Sequence, residues 1–107
     1  MQRVTLVRYR TKPERTAENE ALSRAVFKEL RAAAPGRVAY ALFRSGDEFV
    51  HLFVNAREAD SEVLTGLASF KAFSEDGEAR RATSPEIVRL DLDLVEAYGL
   101  ELQPQPA

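Results

Sequence analysis

The stretch Arg3-Val4-Thr5-Leu6-Val7-Arg8-Tyr9-Arg10 is rich in β-branched and aromatic side chains and predicts a first strand. Thr11-Lys12-Pro13-Glu14 follows with a capping hydroxyl, an early proline and an acid three residues on, which announces a helix. Apolar residues then recur at Ala21, Leu22, Val26 and Leu30, with Ala25 and Ala33 beside them, at the helical period. Pro35-Gly36 stops the helix. Val38 to Arg44 and Phe49 to Val54 predict two further strands. Ser45-Gly46-Asp47-Glu48 joins them as a hairpin, because glycine accepts the positive φ of a tight turn. Asp60 or Ser61 is placed to cap a second helical region with Val63, Leu64, Leu67, Phe70 and Phe73 on its apolar face. Gly66 or the Ala68-Ser69 step is expected to interrupt it, and Gly77 weakens its end by about 1 kcal/mol relative to alanine. Ser84-Pro85 closes the region, and Glu86 to Tyr98 predicts a last strand.

The element order is therefore β-α-β-β-α-β, which implies an α+β ferredoxin-like sandwich: an antiparallel four-stranded sheet with both helices on one face. One domain over residues 1–100 accounts for all of these elements. Residues 101–107, ending in Gln103-Pro104-Gln105-Pro106-Ala107, predict a flexible tail. A sheet covered on one side should alternate apolar and polar residues. The middle strands do not, since Val38-Ala39-Tyr40-Ala41-Leu42-Phe43 and Phe49-Val50-His51-Leu52-Phe53-Val54 offer apolar groups to both faces. A second copy of the sheet, related by a two-fold axis, is the simplest cover, so a homodimer is expected. The length of the last strand suggests that its end reaches the neighbour's sheet. The alternative is a monomer with an apolar face left bare.

Composition narrows the function more than it names it. The chain has 107 residues, with 15 Lys and Arg against 17 Asp and Glu, a net charge of -2. The charges are interspersed, and no basic stripe suited to phosphates is present, so nucleic acid is not an expected partner. Absence of cysteine removes disulfides and thiolate metal sites. Neither a signal-peptide pattern nor a membrane-length apolar run is found, and a cytoplasmic location is the expectation. Phosphate loops, nucleophile elbows and His clusters are missing, so no metal and no cofactor are expected.

The only histidine, His51, sits mid-strand. With a two- or four-residue hairpin loop, Tyr40 and Leu42 share its face with Phe49 and Phe53; a three-residue loop substitutes Ala39, Ala41 and Phe43. In the first case, and if that face meets the helices, Phe70 and Phe73 close an apolar pocket with few polar groups. A buried imidazole tuned near neutrality is then a base for an acidic phenol or carbon acid. The plainer alternative is a core histidine satisfied by one hydrogen bond. Arg8 and Tyr9 on the first strand, and Arg89, Asp91 and Asp93 on the last, also lie in apolar surroundings. Arg8 is expected to pair with Asp91 or Asp93. Glu14, Glu18, Glu20, Arg24, Lys28 and Arg31 predict a solvated helix face.

Val7-Arg8-Tyr9-Arg10-Thr11-Lys12-Pro13-Glu14, Asn19-Glu20, Phe27-Lys28-Glu29-Leu30, Tyr40-Ala41-Leu42-Phe43, Asp47-Glu48-Phe49-Val50-His51, Phe70-Lys71-Ala72-Phe73 and Val95-Glu96-Ala97-Tyr98 together resemble the dimeric α+β barrel superfamily. The branch is that of the antibiotic-biosynthesis-monooxygenase-like proteins, and the resemblance spans about residues 3–99. It implies a homodimer with a ligand cavity between each sheet and its helices. Some relatives oxidise aromatic polyketides with oxygen and no cofactor, and others degrade haem. The haem pattern needs a helix-borne histidine and a tryptophan, neither of which is here. The activity implied is a cofactor-independent monooxygenase for a small aromatic substrate. His51 would be its base and Tyr40 a hydrogen-bond donor, with Phe49, Phe53, Phe70, Phe73 and Leu42 as substrate-binding walls. The rival is a non-catalytic homodimer that binds a small apolar ligand.

Overall fold

A computed structural model describes residues 2–36, 38–56 and 62–98. Strands β1 (Gln2–Arg10), β2 (Val38–Ser45), β3 (Glu48–Asn55) and β4 (Glu86–Leu92) form one sheet in the order β2-β3-β1-β4. Every neighbouring pair is antiparallel. Helix α1 (Thr16–Ala33) follows a 3-10 turn at Pro13–Arg15, and α2 (Ala68–Glu75) and the one-turn α3 (Gly77–Arg80) precede β4. This is the ferredoxin-like α+β arrangement that the element order predicts.

The β2–β3 hairpin fixes the face on which each side chain falls. Ser45 lies opposite Glu48, leaving a two-residue loop in which Gly46 takes φ +61°. That conformation carries no Cβ penalty only for glycine, and a glycine first in the loop suits a type II′ turn. The register sets His51 opposite Leu42 and Val7, Phe53 opposite Tyr40 and Thr5, and Phe49 opposite Arg44 and Tyr9. Directly opposed residues share a face, and this one meets the helices. Val26 of α1 packs there with Phe53 and Leu64, flanked by Leu30, Val38, Tyr40, Leu67, Phe70 and Phe73.

The buried stripe of α1 is Thr16, Asn19, Ser23 and Val26. Ala21, Ala25 and Ala33 are exposed, contrary to the apolar stripe expected from sequence. Alanine is a good helix former on any face, so its positions marked helicity without marking the inward side. Helix α2 starts at Ala68, after turns over residues 62–67, as the interruption at Ala68-Ser69 predicts. The Glu29 carboxylate on α1 reaches across to cap it, accepting from Ser69 N at 2.8 Å and Ser69 Oγ at 2.6 Å. These bonds hold the Glu29 carboxyl below the usual carboxylate range. The proposed caps Asp60 and Ser61 lie outside the described residues.

Two sequence expectations fail here. The last strand ends at Leu92 instead of Tyr98, because Leu92 already faces Gln2 at the start of β1, and the pairing partner runs out. Val95 and Tyr98 are left fully exposed. Arg8 pairs with Glu48 at 3.4 Å, and Asp91 is taken by Arg3 at 3.3 Å. Antiparallel register sets Asp91 opposite Arg3, beyond reach of Arg8, which stands opposite Glu86.

The sheet face away from the helices carries Val4 and Leu6, Ala39, Ala41 and Phe43, Val50 and Leu52, and Val88, Leu90 and Leu92. Phe43, Val88, Leu90 and Leu92 are 58%, 42%, 50% and 44% exposed. Such a contiguous apolar surface is unusual on a monomer. No helix among the described residues is long and apolar enough to cross a membrane.

Candidate functional site

Between the sheet and the helices lies a cavity of about 500 Å³. Tyr9, Tyr40 and His51 form a polar wall on its sheet side, with Arg3, Thr5, Asn55 and Arg89 along the same sheet, and Phe53, Phe70 and Phe73 give it apolar surfaces. The register explains the grouping: β1, β3 and β2 each contribute one inward polar ring. Tyr9 (level with Phe49), His51 and Tyr40 (level with Phe53) step by two residues from strand to strand in a diagonal row.

The imidazole of His51 is clamped by two phenols. Tyr40 Oη lies 2.6 Å from Nδ1, and Tyr9 Oη lies 2.9 Å from Nε2. Asn19 Nδ2 of α1 donates to Tyr9 Oη at 3.0 Å, and Arg80 Nε of α3 donates to Asn19 Oδ1 at 3.0 Å. A second Arg80 nitrogen donates to the Phe73 carbonyl. Arg80 is fully buried, and its guanidinium sits 5.0 Å from the Phe73 ring. The result is a continuous chain from guanidinium to amide, phenol, imidazole and second phenol.

A neutral imidazole has one acceptor nitrogen, so only one of the two tyrosines can donate to it. Because Asn19 donates to Tyr9 Oη, the Tyr9 proton is free to point at Nε2. His51 then donates from Nδ1 to Tyr40, and the Tyr40 proton turns to the cavity. All donors run in one direction in that arrangement, which hydrogen-bond cooperativity favours. In the other tautomer Tyr40 donates to Nδ1, and Tyr9 keeps a proton for the cavity. Neither ring nitrogen is open to a ligand directly.

Burial lowers the His51 pKa to about 4 and raises those of both tyrosines. For Tyr9, the bond from Asn19 and the charges of Arg80 and Arg81 oppose the rise. The imidazole is therefore neutral near pH 7, and not poised at neutrality as its sequence context suggested. The physical cause is burial, with no carboxylate among the described residues beside the ring to stabilise a cation. A depressed folded-state pKa gives stability that is present above the unfolded value of about 6.5 and is lost as pH falls toward 4. The shift is worth about 3 kcal/mol. Urea denaturation between pH 7 and pH 4.5 is expected to show this loss in the wild type and a flatter profile in His51→Asn. Parallel profiles would contradict it.

The sequence-derived candidates divide into two groups. His51, Tyr40, Phe53, Phe70 and Phe73 are together on the cavity, with Phe73 5.8 Å from His51 between ring centroids. Leu42 and Phe49 share the sheet face yet do not line it. They border a second groove with Phe27, Arg31 and Arg44, on the other side of the tyrosine row. Phe49 instead backs Tyr9, ring on ring at 5.8 Å. Asn19 and Arg80 were not foreseen as site residues. Asn19 was detectable, because Thr16, Asn19, Ser23 and Val26 repeat at helical spacing and Val26 faces the core. Nothing in sequence distinguished Arg80 from the charged residues beside it. Among the described residues no group of three or more His, Asp or Glu side chains converges as a metal site.

No family model matches this chain, and no curated protein does. Solved structures do. A candidate antibiotic biosynthesis monooxygenase from Caulobacter crescentus superposes with a TM-score of 0.73 at 23% identity, covering 85% of this chain and 89% of that one. Rv0793 from Mycobacterium tuberculosis gives 0.74 at 18% identity, covering 90% and 100%. A further antibiotic biosynthesis monooxygenase gives 0.72 at 21% identity, covering 86% and 98%. The fold is that of the antibiotic-biosynthesis-monooxygenase-like proteins. At these identities the likeness speaks for architecture, and the chemistry has to be argued from the cavity.

Proposed function

We propose that this protein is a cofactor-independent monooxygenase that oxidises a small aromatic substrate of the quinol or anthrone type. The observation that carries the reading is the clamped His51, set with two phenols on the wall of a largely apolar cavity of about 500 Å³. A substrate hydroxyl at this wall meets Tyr40 first. In the tautomer in which Tyr40 donates to Nδ1, the substrate proton passes to Tyr40 Oη while the Tyr40 proton moves to the unprotonated Nδ1, leaving an imidazolium beside a substrate oxyanion. For a phenol of ordinary pKa that transfer is uphill by roughly 8 kcal/mol against a base of pKa about 4. Attraction between the two new charges beside the buried imidazole offsets part of this.

The electron-rich anion then reacts with molecular oxygen at carbon, forming a peroxide. For a CH₂ centre, loss of water leaves a carbonyl: one oxygen atom enters the product, the other leaves as water, and the carbon loses four electrons. Oxygen uptake with a panel of naphthols and anthrones, using ¹⁸O₂ and mass analysis of product, tests the reading. Incorporation of one labelled atom supports it; no uptake above the uncatalysed rate with any of the panel counts against it.

A second reading, reversible binding without turnover, draws support from the double engagement of His51, which leaves no free base edge. Binding of the same compounds without oxygen uptake favours it.

Under either reading we infer a homodimer closed through the apolar sheet face. Sedimentation at micromolar concentration is expected to give a dimer. Leu90→Glu is expected to weaken it at least tenfold, because a carboxylate would be buried without a partner. A well-folded wild-type monomer would refute this.

A further inference from the structure

The charges on the cavity wall are lopsided. Arg3, Arg80, Arg81 and Arg89 line it, against the single carboxylate of Glu62. Arg3 is neutralised by Asp91. Arg81 and Arg89 have no ion-pair partner among the described residues. Arg80 is 0% exposed, yet its Nη1 has no hydrogen-bond partner. A buried guanidinium nitrogen without an acceptor is costly unless something else satisfies it.

Arg80 and Arg81 stand together at the end of the cavity beside Tyr9. The backbone holds them there: Lys12 N donates to the Arg80 carbonyl at 2.8 Å, and Arg81 bridges to Thr11. Gly77 makes room for the second guanidinium, since a Cβ at that position would lie 3.0 Å from Arg81 Nη1. The nearby acids Glu18 and Asp76 are exposed and already bound to Arg15, at 2.6 Å and 2.7 Å. They act on Arg80 through their charge alone and form no ion pair with it.

We propose that the ligand of this cavity is an aromatic acid whose carboxylate docks at the Arg80–Arg81 end. The inference rests on the reading of this cavity as the ligand site and adds the charge class of the ligand. The planar guanidiniums match a carboxylate in geometry and sign. The ring then extends from Tyr9 along the Phe70 and Phe73 side. Both arginines act on Tyr9 by charge, lowering the pKa that burial raises, so the positive field reaches the polar wall itself.

The test compares 6-hydroxy-2-naphthoate with its methyl ester by calorimetry at pH 7.5, where they share a ring system and differ by one charge. The acid is expected to bind at least tenfold more tightly, with an advantage that shrinks as salt rises from 50 to 500 mM. Arg81→Gln is expected to erase most of that advantage, lowering the affinity for the acid far more than that for the ester. Gly77→Ala, whose Cβ presses the Arg81 guanidinium aside by a few tenths of an ångström without removing it, should move in the same direction by a smaller amount and guards against a folding defect in the first variant. Equal affinity for acid and ester in the wild type, or an undiminished preference in Arg81→Gln, overturns the charge assignment alone. Failure of both compounds to bind overturns it together with the ligand-site reading.

Discussion

Replacing His51 with alanine is expected to slow catalysed oxygen uptake by roughly 10²–10⁴-fold, the usual contribution of a positioned general base. The loss should fall mainly on kcat, because the ring is walled off behind Tyr9 and Tyr40 and makes no direct contact with a ligand. Tyr40→Phe is the informative companion. It keeps the stacking of residue 40 on Phe27, whose ring lies 4.6 Å away and nearly parallel, and removes only the hydroxyl between substrate and imidazole. If the phenol relays the proton, Tyr40→Phe should lose activity nearly as severely as the His51 variant, and the double variant should lose little more. Equal oxygen uptake in wild type and His51→Ala would take the imidazole out of the mechanism.

The second large effect is on stability. Arg80→Ala is expected to destabilise the fold by about 2–4 kcal/mol, from one buried side chain. Its removal strands Asn19 Oδ1 and the Phe73 carbonyl, the acceptors it now serves, and leaves a cavity beside the Phe73 ring. Relief from burying a charge with one unsatisfied nitrogen works in the opposite direction and keeps the net figure below the sum of those losses. Guanidinium denaturation measures the difference. A change under 0.5 kcal/mol would mean that Asn19 is held by other contacts. Asn19→Leu should share most of the loss, since both variants break the same chain.

How far this was visible beforehand follows from what each residue depends on. The four strands and two helical regions follow from local patterns, and the Gly46 turn allowed the strand register to be reduced to two cases. That was enough to group His51, Tyr40 and Phe53. The site also needs Tyr9, which is foreseeable on β1 only once the strand order makes β1 the neighbour of β3. It needs Asn19, whose inward aim is set by the rotation of α1. Arg80 depends on a helix break at Asp76 that no local pattern marks strongly. The failed Arg8–Asp91 pairing has the same origin: charge complementarity was right in kind, and register gave Asp91 to Arg3. Leu42 and Phe49 illustrate a finer point. Residues on one sheet face can be separated by a row of larger rings, and the tyrosine row does that here.

The chain of donors through His51 has a consequence for selectivity. Its heavy atoms are fixed by packing, but its protons can be rearranged by exchanging one tautomer for the other. A bound molecule that offers a lone pair near Tyr40 and one that offers it near Tyr9 can each be met by a hydroxyl proton, with no side chain displaced. The wall is stiff in shape and adaptable in polarity, so compounds should be sorted by outline and charge before the placement of their oxygens matters.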